Sequence, residues 1–139
     1  MKNVLQFGHP IDNCIERKSV YGVIENTSGQ LLVIDVNGTL HLPGGGIDPG
    51  EDPEAALIRE CVEEAGCTIQ NLELIGSANQ FYSRTNLGPM NKLGIFFSGQ
   101  TLGSVLNGSE HDHIPLWMSK EDMLKSNMAD FQKWAVRQG

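Results

Sequence analysis

Alternating apolar and polar positions divide the N-terminal part of the chain into short strands. Residues 14–25 (CIERKSVYGVIE) alternate loosely and predict a first strand, which ends at the turn formers of residues 26–29 (NTSG). Residues 30–36 (QLLVIDV) predict a second strand, because β-branched residues fit a pleated surface. Asn37-Gly38 favours a tight hairpin, so residues 39–42 are expected to form a third strand beside the second.

A glycine-rich segment separates these strands from a helix. Residues 43–50 (PGGGIDPG) predict a loop, because glycine and proline together favour turns. Asp52 can cap the free amides of a helix that begins at Pro53, and good helix formers continue to Ala65. Gly66 then supplies the left-handed residue at which many helices end.

The second half of the chain returns to strand patterns and finishes with helices. Strands are predicted over residues 72–84, 92–101 and 114–117, and a short helix is predicted over residues 119–125, capped by its serine. A last helix is predicted from apolar residues at i, i+3 and i+4: Phe131, Trp134 and Ala135. These side chains cover either the core or a partner, so a homodimer stays open. The order of elements predicts an α+β fold with a mixed β-sheet in a single domain, residues 1–139.

Composition narrows the classes of function. The 139 residues are 40% hydrophobic and 19% charged, a balance typical of a globular protein. Seventeen acidic residues against ten basic ones give a formal net charge of −7, which argues against a basic surface for nucleic-acid polymers. Cys14, Cys61 and Cys67 contain no CxxC pair, and no signal peptide or membrane-length apolar stretch is recognisable. We therefore expect a cytoplasmic protein with no membrane partner.

The predicted helix carries a cluster of glutamates. Glu60, Glu63 and Glu64 stand at i, i+3 and i+4 and so share one face. The other side is expected to pack on the sheet through apolar residues: Leu57, Ile58, Cys61, Val62 and Ala65. The carboxylates form either a solvated acidic surface or a site for a hard divalent cation. The preceding glycines, residues 44–46, form either a tight turn or a close backbone approach to a ligand, and they match neither the P-loop nor the GxGxxG pattern.

The segment from Gly45 to Cys67 (GGIDPGEDPEAALIRECVEEAGC) resembles the Nudix box, the signature of the Nudix hydrolases. That box is a glycine, five residues, a glutamate, seven residues and then Arg-Glu-apolar-x-Glu-Glu-x-Gly-apolar. All of its fixed positions match: Gly45, Glu51, Arg59, Glu60, Glu63, Glu64 and Gly66. Two apolar positions of the box hold Cys61 and Cys67 instead of aliphatic residues, and we interpret both as small apolar core residues.

The resemblance implies an α/β/α sandwich, with the box helix on one side of the mixed sheet and the C-terminal helix on another. It also implies Mg²⁺- or Mn²⁺-assisted hydrolysis of a nucleoside diphosphate linked to another group. The implied metal ligands are all oxygen donors: the carbonyl of Gly45 and the carboxylates of Glu60, Glu63 and Glu64. Glu51 resembles the box glutamate that reaches a metal through water. Arg59 resembles the arginine that holds the glutamates by charge-assisted hydrogen bonds, and it joins Glu63 and Glu64 as an implied catalytic residue.

The general base is either a box glutamate or a carboxylate of the later segment 109–113 (SEHDH). Within that segment Glu110 is the first candidate and Asp112 the second, although a polar surface loop fits the same residues. His111 and His113, at i and i+2, suggest zinc, but no Cys or His partner spacing completes a zinc site.

Substrate choice depends on residues outside the box. Phe81, Tyr82 and Trp117 either stack a base or fill the core, and Arg84 can contact a phosphate. We expect a small-molecule nucleotide and favour a nucleoside triphosphate, an oxidised one included, cleaved to the monophosphate and pyrophosphate. ADP-ribose and dinucleoside polyphosphates are alternative substrates, and a nucleotide-binding sensor without turnover is the alternative from another functional class.

Overall fold

The structure, a computed structural model, describes residues 5–8, 10, 14–84, 88–103, 106 and 112–138, with the backbone alone at Arg84. Along these residues the secondary structure elements follow one another in this order: β1 (Leu5–Phe7), β2 (Ile15–Glu25), β3 (Leu31–Val36), β4 (Thr39–His41), β5 (Gly44–Gly46), α1 (Pro53–Ala65), β6 (Ile69–Arg84), β7 (Gly88–Thr101), β8 (His113–Met118), α2 (Lys120–Leu124) and α3 (Asp130–Gln138). None of the described helices has the length and apolarity to cross a membrane.

The strands form one mixed sheet. Its order is β1-β6-β7-β2-β3-β4, with β5 pairing with β2 and β8 pairing with β3. β2 runs parallel to β7 along its whole length, whereas β6 and β7 form a long antiparallel pair. The predicted α+β class with a mixed sheet is therefore confirmed.

Helices cover both faces of this sheet. On the α3 face the rings of Tyr21, Phe96 and Phe131 lie 5.5 to 5.7 Å apart between centroids, and Trp134 meets Phe96 at 5.8 Å. Phe131 and Trp134 thus cover the core of this chain. The other face packs against α1 through a second apolar cluster that includes Val20, Ile24, Leu32, Ile34, Leu57 and Cys61. This layering confirms the α/β/α sandwich that the box implies.

The box helix has the ends that the sequence predicts. The Asp52 carboxylate accepts hydrogen bonds from the amides of Glu54 and Ala55, which have no partners within the helix. Gly66 adopts the left-handed conformation at φ 63°, and its amide donates to the carbonyl of Val62 at 2.9 Å. These local signals fix where α1 begins and therefore which residues it turns toward β5.

The buried side of α1 differs from the prediction. Ile58 and Val62 were expected to face the sheet but are 43% and 50% exposed, whereas Glu64 is only 4% exposed. At about 100° per residue, the buried arc is centred near Leu57 and Cys61, and Glu64 falls inside this arc. Ile58 and Val62 fall outside it, so the prediction for these two residues is wrong. The three glutamates consequently occupy different environments, from buried to half exposed.

Two short strands lie outside the predicted elements. The glycines predicted as a loop form β5, which pairs antiparallel with Ser19–Tyr21 of β2. Gly44 has φ 145°, and a Cβ added there would collide with the carbonyl oxygen of Val20, so the close approach of β5 to β2 requires glycine. β1 extends the far edge of the sheet by pairing in parallel with Ala78–Gln80.

Candidate functional site

The glycine strand β5 lies against the glutamates of α1. The amide of Gly44 donates a hydrogen bond of 2.8 Å to Oε1 of Glu64. A Cβ built on Gly45 would lie 2.9 Å from Oε1 of Glu60, so the absence of a side chain there leaves room for this carboxylate. The side chain of Glu60 is 13% exposed. Pairing of β5 with β2 therefore places a backbone strand beside two carboxylates of the box helix.

Arg59 holds the remaining carboxylates together. Its Nε and Nη2 atoms donate to the two oxygens of Glu51 at 2.9 and 3.0 Å, which is a bidentate contact. Its Nη1 atom donates to Oε1 of Glu60 at 3.1 Å and lies 3.3 Å from Oε2 of Glu63. Hydrogen bonding from Arg59, aided by the Asp48 amide, lowers the pKa of Glu51, and Glu51 in turn raises the pKa of Arg59. One guanidinium thus links three acidic side chains of the box.

Glu64 is the most buried acid of the cluster. Burial raises the pKa of Glu64 to about 7, against the hydrogen bonds from Gly44 and His113, which lower it. Nδ1 of His113 lies 2.9 Å from Oε2 of Glu64, and the other oxygen accepts from Gly44. A nearby cation would stabilise the charged form of this carboxylate and so lower its pKa.

The donor atoms of the cluster have the chemistry that a hard divalent cation requires. Carboxylates and a backbone carbonyl are the oxygen ligands that Mg²⁺ and Mn²⁺ prefer. Within the described ranges, no three His, Cys, Asp or Glu side chains lie in an arrangement that could hold a metal ion. In the absence of a cation, Arg59 supplies positive charge to Glu60 and Glu63.

A cavity of ≈ 370 Å³ opens between the start of α3 and the sheet. It is lined by His41 of β4, by Gln80, Tyr82 and Lys92 of the β6-β7 pair, and by residues 128–132 at the start of α3. Nζ of Lys92 lies 5.5 Å from the centre of the Tyr82 ring. Burial lowers the pKa of His41, and the charges of Lys92 and His113 act in the same direction. His41, in the wall of the cavity, therefore lies within electrostatic range of His113, the side chain that contacts Glu64.

The rest of the predicted site residues are scattered. Phe81 does not line the cavity, because successive side chains of a strand point to opposite faces. Trp117 packs against the apolar cluster under α1. Arg84 is the last residue of β6, opposite Gly88. Glu110 and His111 lie outside the described residues, and Asp112 precedes β8 as an exposed residue.

Sequence reasoning does not place His113 beside the acidic cluster, nor His41 and Lys92 in the wall of a cavity. The spacing of His113 from His111 suggests only zinc, and no local pattern singles out His41 or Lys92. His113 reaches Glu64 because β8 pairs with β3, a contact 49 residues along the chain from the helix. No local spacing signals such a contact, since it depends on how distant strands pair.

Replacing Gly45 with alanine is expected to lower, by about 10-fold, the kcat/KM of the hydrolysis that the Nudix-box resemblance implies, because even a small misplacement of a group at a reacting centre is costly. The added methyl group would press on the Glu60 carboxylate at 2.9 to 3.2 Å, and the flexible end of that side chain would have to move. Gly46→Ala is the matched control, since nothing lies within 4 Å of a Cβ there. Steady-state kinetics together with melting curves check this, and equal effects of both variants would contradict it.

Curated relatives match parts of the chain. A "MutT-like protein" from Streptomyces ambofaciens is 32% identical over 107 residues, which cover 76% of this chain and 65% of that protein. An "8-oxo-dGTP diphosphatase" from Haemophilus influenzae is 42% identical over 59 residues, which cover 38% of this chain and 43% of that protein. The chain therefore spans less than two thirds of the length of either relative.

A solved structure shows the fold of this chain, and a family model shows its family. The crystal structure of a MutT protein from Methanosarcina mazei Go1 superposes with a TM-score of 0.76 over 91% of this chain and 94% of that chain. At 22% identity, this likeness shows the fold alone. The family model described as "NUDIX domain" matches residues 16–138, which is nearly the whole chain and contains the box and its partner strands. This chain therefore belongs to the NUDIX domain family.

Proposed function

We propose that this chain is a metal-dependent pyrophosphohydrolase that cleaves a nucleoside triphosphate to the monophosphate and pyrophosphate. The observation that carries the proposal is the complete set of box acids gathered between β5, Arg59 and His113, close to a cavity with an aromatic wall. The relatives described as MutT-like and as an 8-oxo-dGTP diphosphatase support this substrate class, an oxidised nucleotide included.

Divalent metal ions are the cofactors that Nudix hydrolases use. We assign Mg²⁺ or Mn²⁺ to the oxygen donors beside β5: the carbonyl of Gly45 and the carboxylates of Glu60, Glu63 and Glu64, with Glu51 acting through water. When bound, such an ion neutralises phosphate oxygens and acidifies a water molecule. Acquisition of the cation relieves the mutual repulsion of these carboxylates and the unfavourable burial of the Glu64 charge.

The side chains of the box then have distinct tasks. Arg59 keeps Glu51, Glu60 and Glu63 within hydrogen-bonding reach of one guanidinium and so limits their rotation. Glu63 is 44% exposed, so a water molecule can approach it, and we propose it as one candidate general base. The other candidates lie on the segment before β8: Glu110 first and Asp112 second.

The cavity of ≈ 370 Å³ is the proposed place of the nucleoside. The face of Tyr82 can stack on a base, and Lys92 adds a positive charge for phosphate oxygens. His41 lines this cavity and lies within electrostatic range of His113, whose Nδ1 contacts Glu64. We propose that the base of the triphosphate lies against Tyr82 and that its phosphates extend toward the acidic cluster.

The remaining proposals concern surroundings and partners. Cys61 and Cys67 are buried and form no disulfide, which accords with the cytoplasmic location expected from the sequence. The proposed partner is a small nucleotide, and the net charge of −7 supports neither a nucleic-acid polymer nor an anionic membrane surface as a ligand.

A nucleotide panel tests the proposed function. We expect nucleoside triphosphates to give monophosphate and pyrophosphate with Mg²⁺ or Mn²⁺, and no product with a chelator, as followed by ³¹P NMR and chromatography. Glu63→Gln should lose this activity, whereas Glu121→Gln, at a 75% exposed position of α2, should keep it.

Other outcomes of the same panel would contradict the proposal. Turnover restricted to ADP-ribose or to dinucleoside polyphosphates would show that nucleoside triphosphates are the wrong substrate class. Calorimetric binding of nucleotides without any product after long incubation would indicate a sensor instead of an enzyme.

A further inference from the structure

We propose that His113 is a positioning residue for the metal centre, because it fixes the orientation of the Glu64 carboxylate. His113 is outside the Nudix box, 49 residues beyond Glu64 in the chain. The inference rests on the proposed function, since it gives Glu64 a partner within the same site.

Each oxygen of the Glu64 carboxylate contacts a different partner. Oε1 accepts from the Gly44 amide at 2.8 Å, and Oε2 lies 2.9 Å from Nδ1 of His113. With the glutamate ionised, the Nδ1–H of His113 donates to Oε2, and each oxygen keeps a further lone pair for a cation. Two contacts of this length on one carboxylate define the plane of the group, which a single contact would leave free to rotate.

Arg59 donates hydrogen bonds to the other acids of the cluster. Its guanidinium donates to Glu51, Glu60 and Glu63 and to the carbonyl of Gly46. Glu64 instead turns to the buried side of α1, where its side chain is 5% exposed. The carboxylates of the cluster are thus oriented by two side chains: Arg59, which belongs to the box, and His113, which belongs to β8.

The backbone beneath His113 is well suited to a positioning role. His113 pairs with Val36 at the end of an unbroken antiparallel ladder between β3 and β8, which extends to Leu31 and Met118. A side chain on a paired strand is held more narrowly than one on a loop. Hydrogen-bond partners of metal-ligating groups are worth about 10- to 100-fold in metal affinity or activity.

The test compares His113→Phe with His113→Asn in the full chain. Phenylalanine keeps a flat ring but donates no hydrogen bond, whereas the asparagine amide can donate from nearly the position of Nδ1. We expect His113→Phe to weaken Mn²⁺ binding about 10- to 100-fold by calorimetry, and to raise the Mg²⁺ concentration for half-maximal turnover in parallel. The KM for nucleotide at saturating Mg²⁺ should change little, and His113→Asn should restore most of the Mn²⁺ affinity.

The controls separate this inference from the proposed function. Ile114→Asn changes the next residue of β8, whose side chain is 61% exposed, and should bind Mn²⁺ as the wild type does. If Glu64→Gln abolishes Mn²⁺ binding but His113→Phe leaves it unchanged, the positioning role is wrong while the metal site stands. If neither variant affects Mn²⁺ binding, the proposed metal site itself is wrong. Should His113→Phe fail to fold, His113→Gln replaces it, since its longer amide cannot take the place of Nδ1 and should bind Mn²⁺ more weakly than His113→Asn.

Discussion

Replacing Glu64 with glutamine is expected to stabilise the metal-free protein by about 1–3 kcal/mol at pH 8. The reason is that burial raises the pKa of Glu64 from its ordinary value of 4.5 to about 7. A carboxyl group whose pKa rises on folding contributes stability while it is protonated. That contribution falls as the pH rises from about 4.5 to about 7, and it is absent above. The glutamine amide carries no charge, so the advantage of the variant should grow across this pH window.

The same substitution should remove most of the activity. Loss of one charged group that stabilises a reacting centre typically lowers kcat by about 10²- to 10³-fold. Urea unfolding at pH 5 and pH 8 in a chelator measures the first effect, and steady-state kinetics in Mg²⁺ measure the second. A Mg²⁺-induced rise in melting temperature should be present in the wild type and reduced in Glu64→Gln, since a ligand of the native state stabilises it.

We expect Glu64→Gln to gain stability and to lose activity. A Glu64→Gln variant that is less stable than the wild type in chelator would contradict this expectation. Its two hydrogen-bonding partners are not lost in the variant, because the amide oxygen can accept from Gly44 and the amide nitrogen can donate to Nδ1 of His113. Glu121→Gln is the control, since that carboxyl group is 75% exposed and its change should alter neither quantity by much.

The local parts of the site were predictable because their signals are local. Asp52 and Gly66 fix the ends of α1, and the spacing of Glu60, Glu63 and Glu64 follows from helical geometry. The glycine segment was recognised as permissive backbone, but its pairing with β2 was not. That pairing depends on Val20 and its neighbours in a strand more than twenty residues away, so no pattern within the segment reveals it.

The environment of each acid could not be predicted, because it depends on how the helix is rotated on the sheet. The sequence pattern predicts that Ile58 and Val62 pack on the sheet. The sheet is instead covered by Leu57 and Cys61, and Glu64 is buried beside them. A small rotation of the helix therefore decides that one glutamate is buried with a raised pKa while another remains half exposed. The partners outside the box follow from β8 pairing with β3, which the sequence does not specify locally.

Replacing Arg59 with alanine is expected to produce a protein whose stability depends strongly on divalent cations. The substitution leaves Glu51, Glu60 and Glu63 without the guanidinium that links them, so their mutual repulsion is no longer compensated. With a chelator and low salt, we expect a loss of about 1.5–3 kcal/mol in the free energy of unfolding, the range for hydrogen bonds to charged groups. Mg²⁺ should recover part of this loss, because the bound cation supplies positive charge to the same carboxylates.

Activity should fall by about 10²-fold in Arg59→Ala even at saturating Mg²⁺, because a cation neutralises the glutamates without orienting them. Arg59→Lys should be intermediate: it keeps the charge but cannot reproduce the two-pronged contact with Glu51. Lys125→Ala is the matched control, since it breaks an exposed i, i+4 ion pair with Glu121 that is worth little. Urea unfolding with Mg²⁺ and with chelator measures the difference between the two conditions. If this difference is the same in Arg59→Ala as in the wild type, Arg59 and the cation do not act on a common set of carboxylates, and the proposed metal site has to be placed elsewhere.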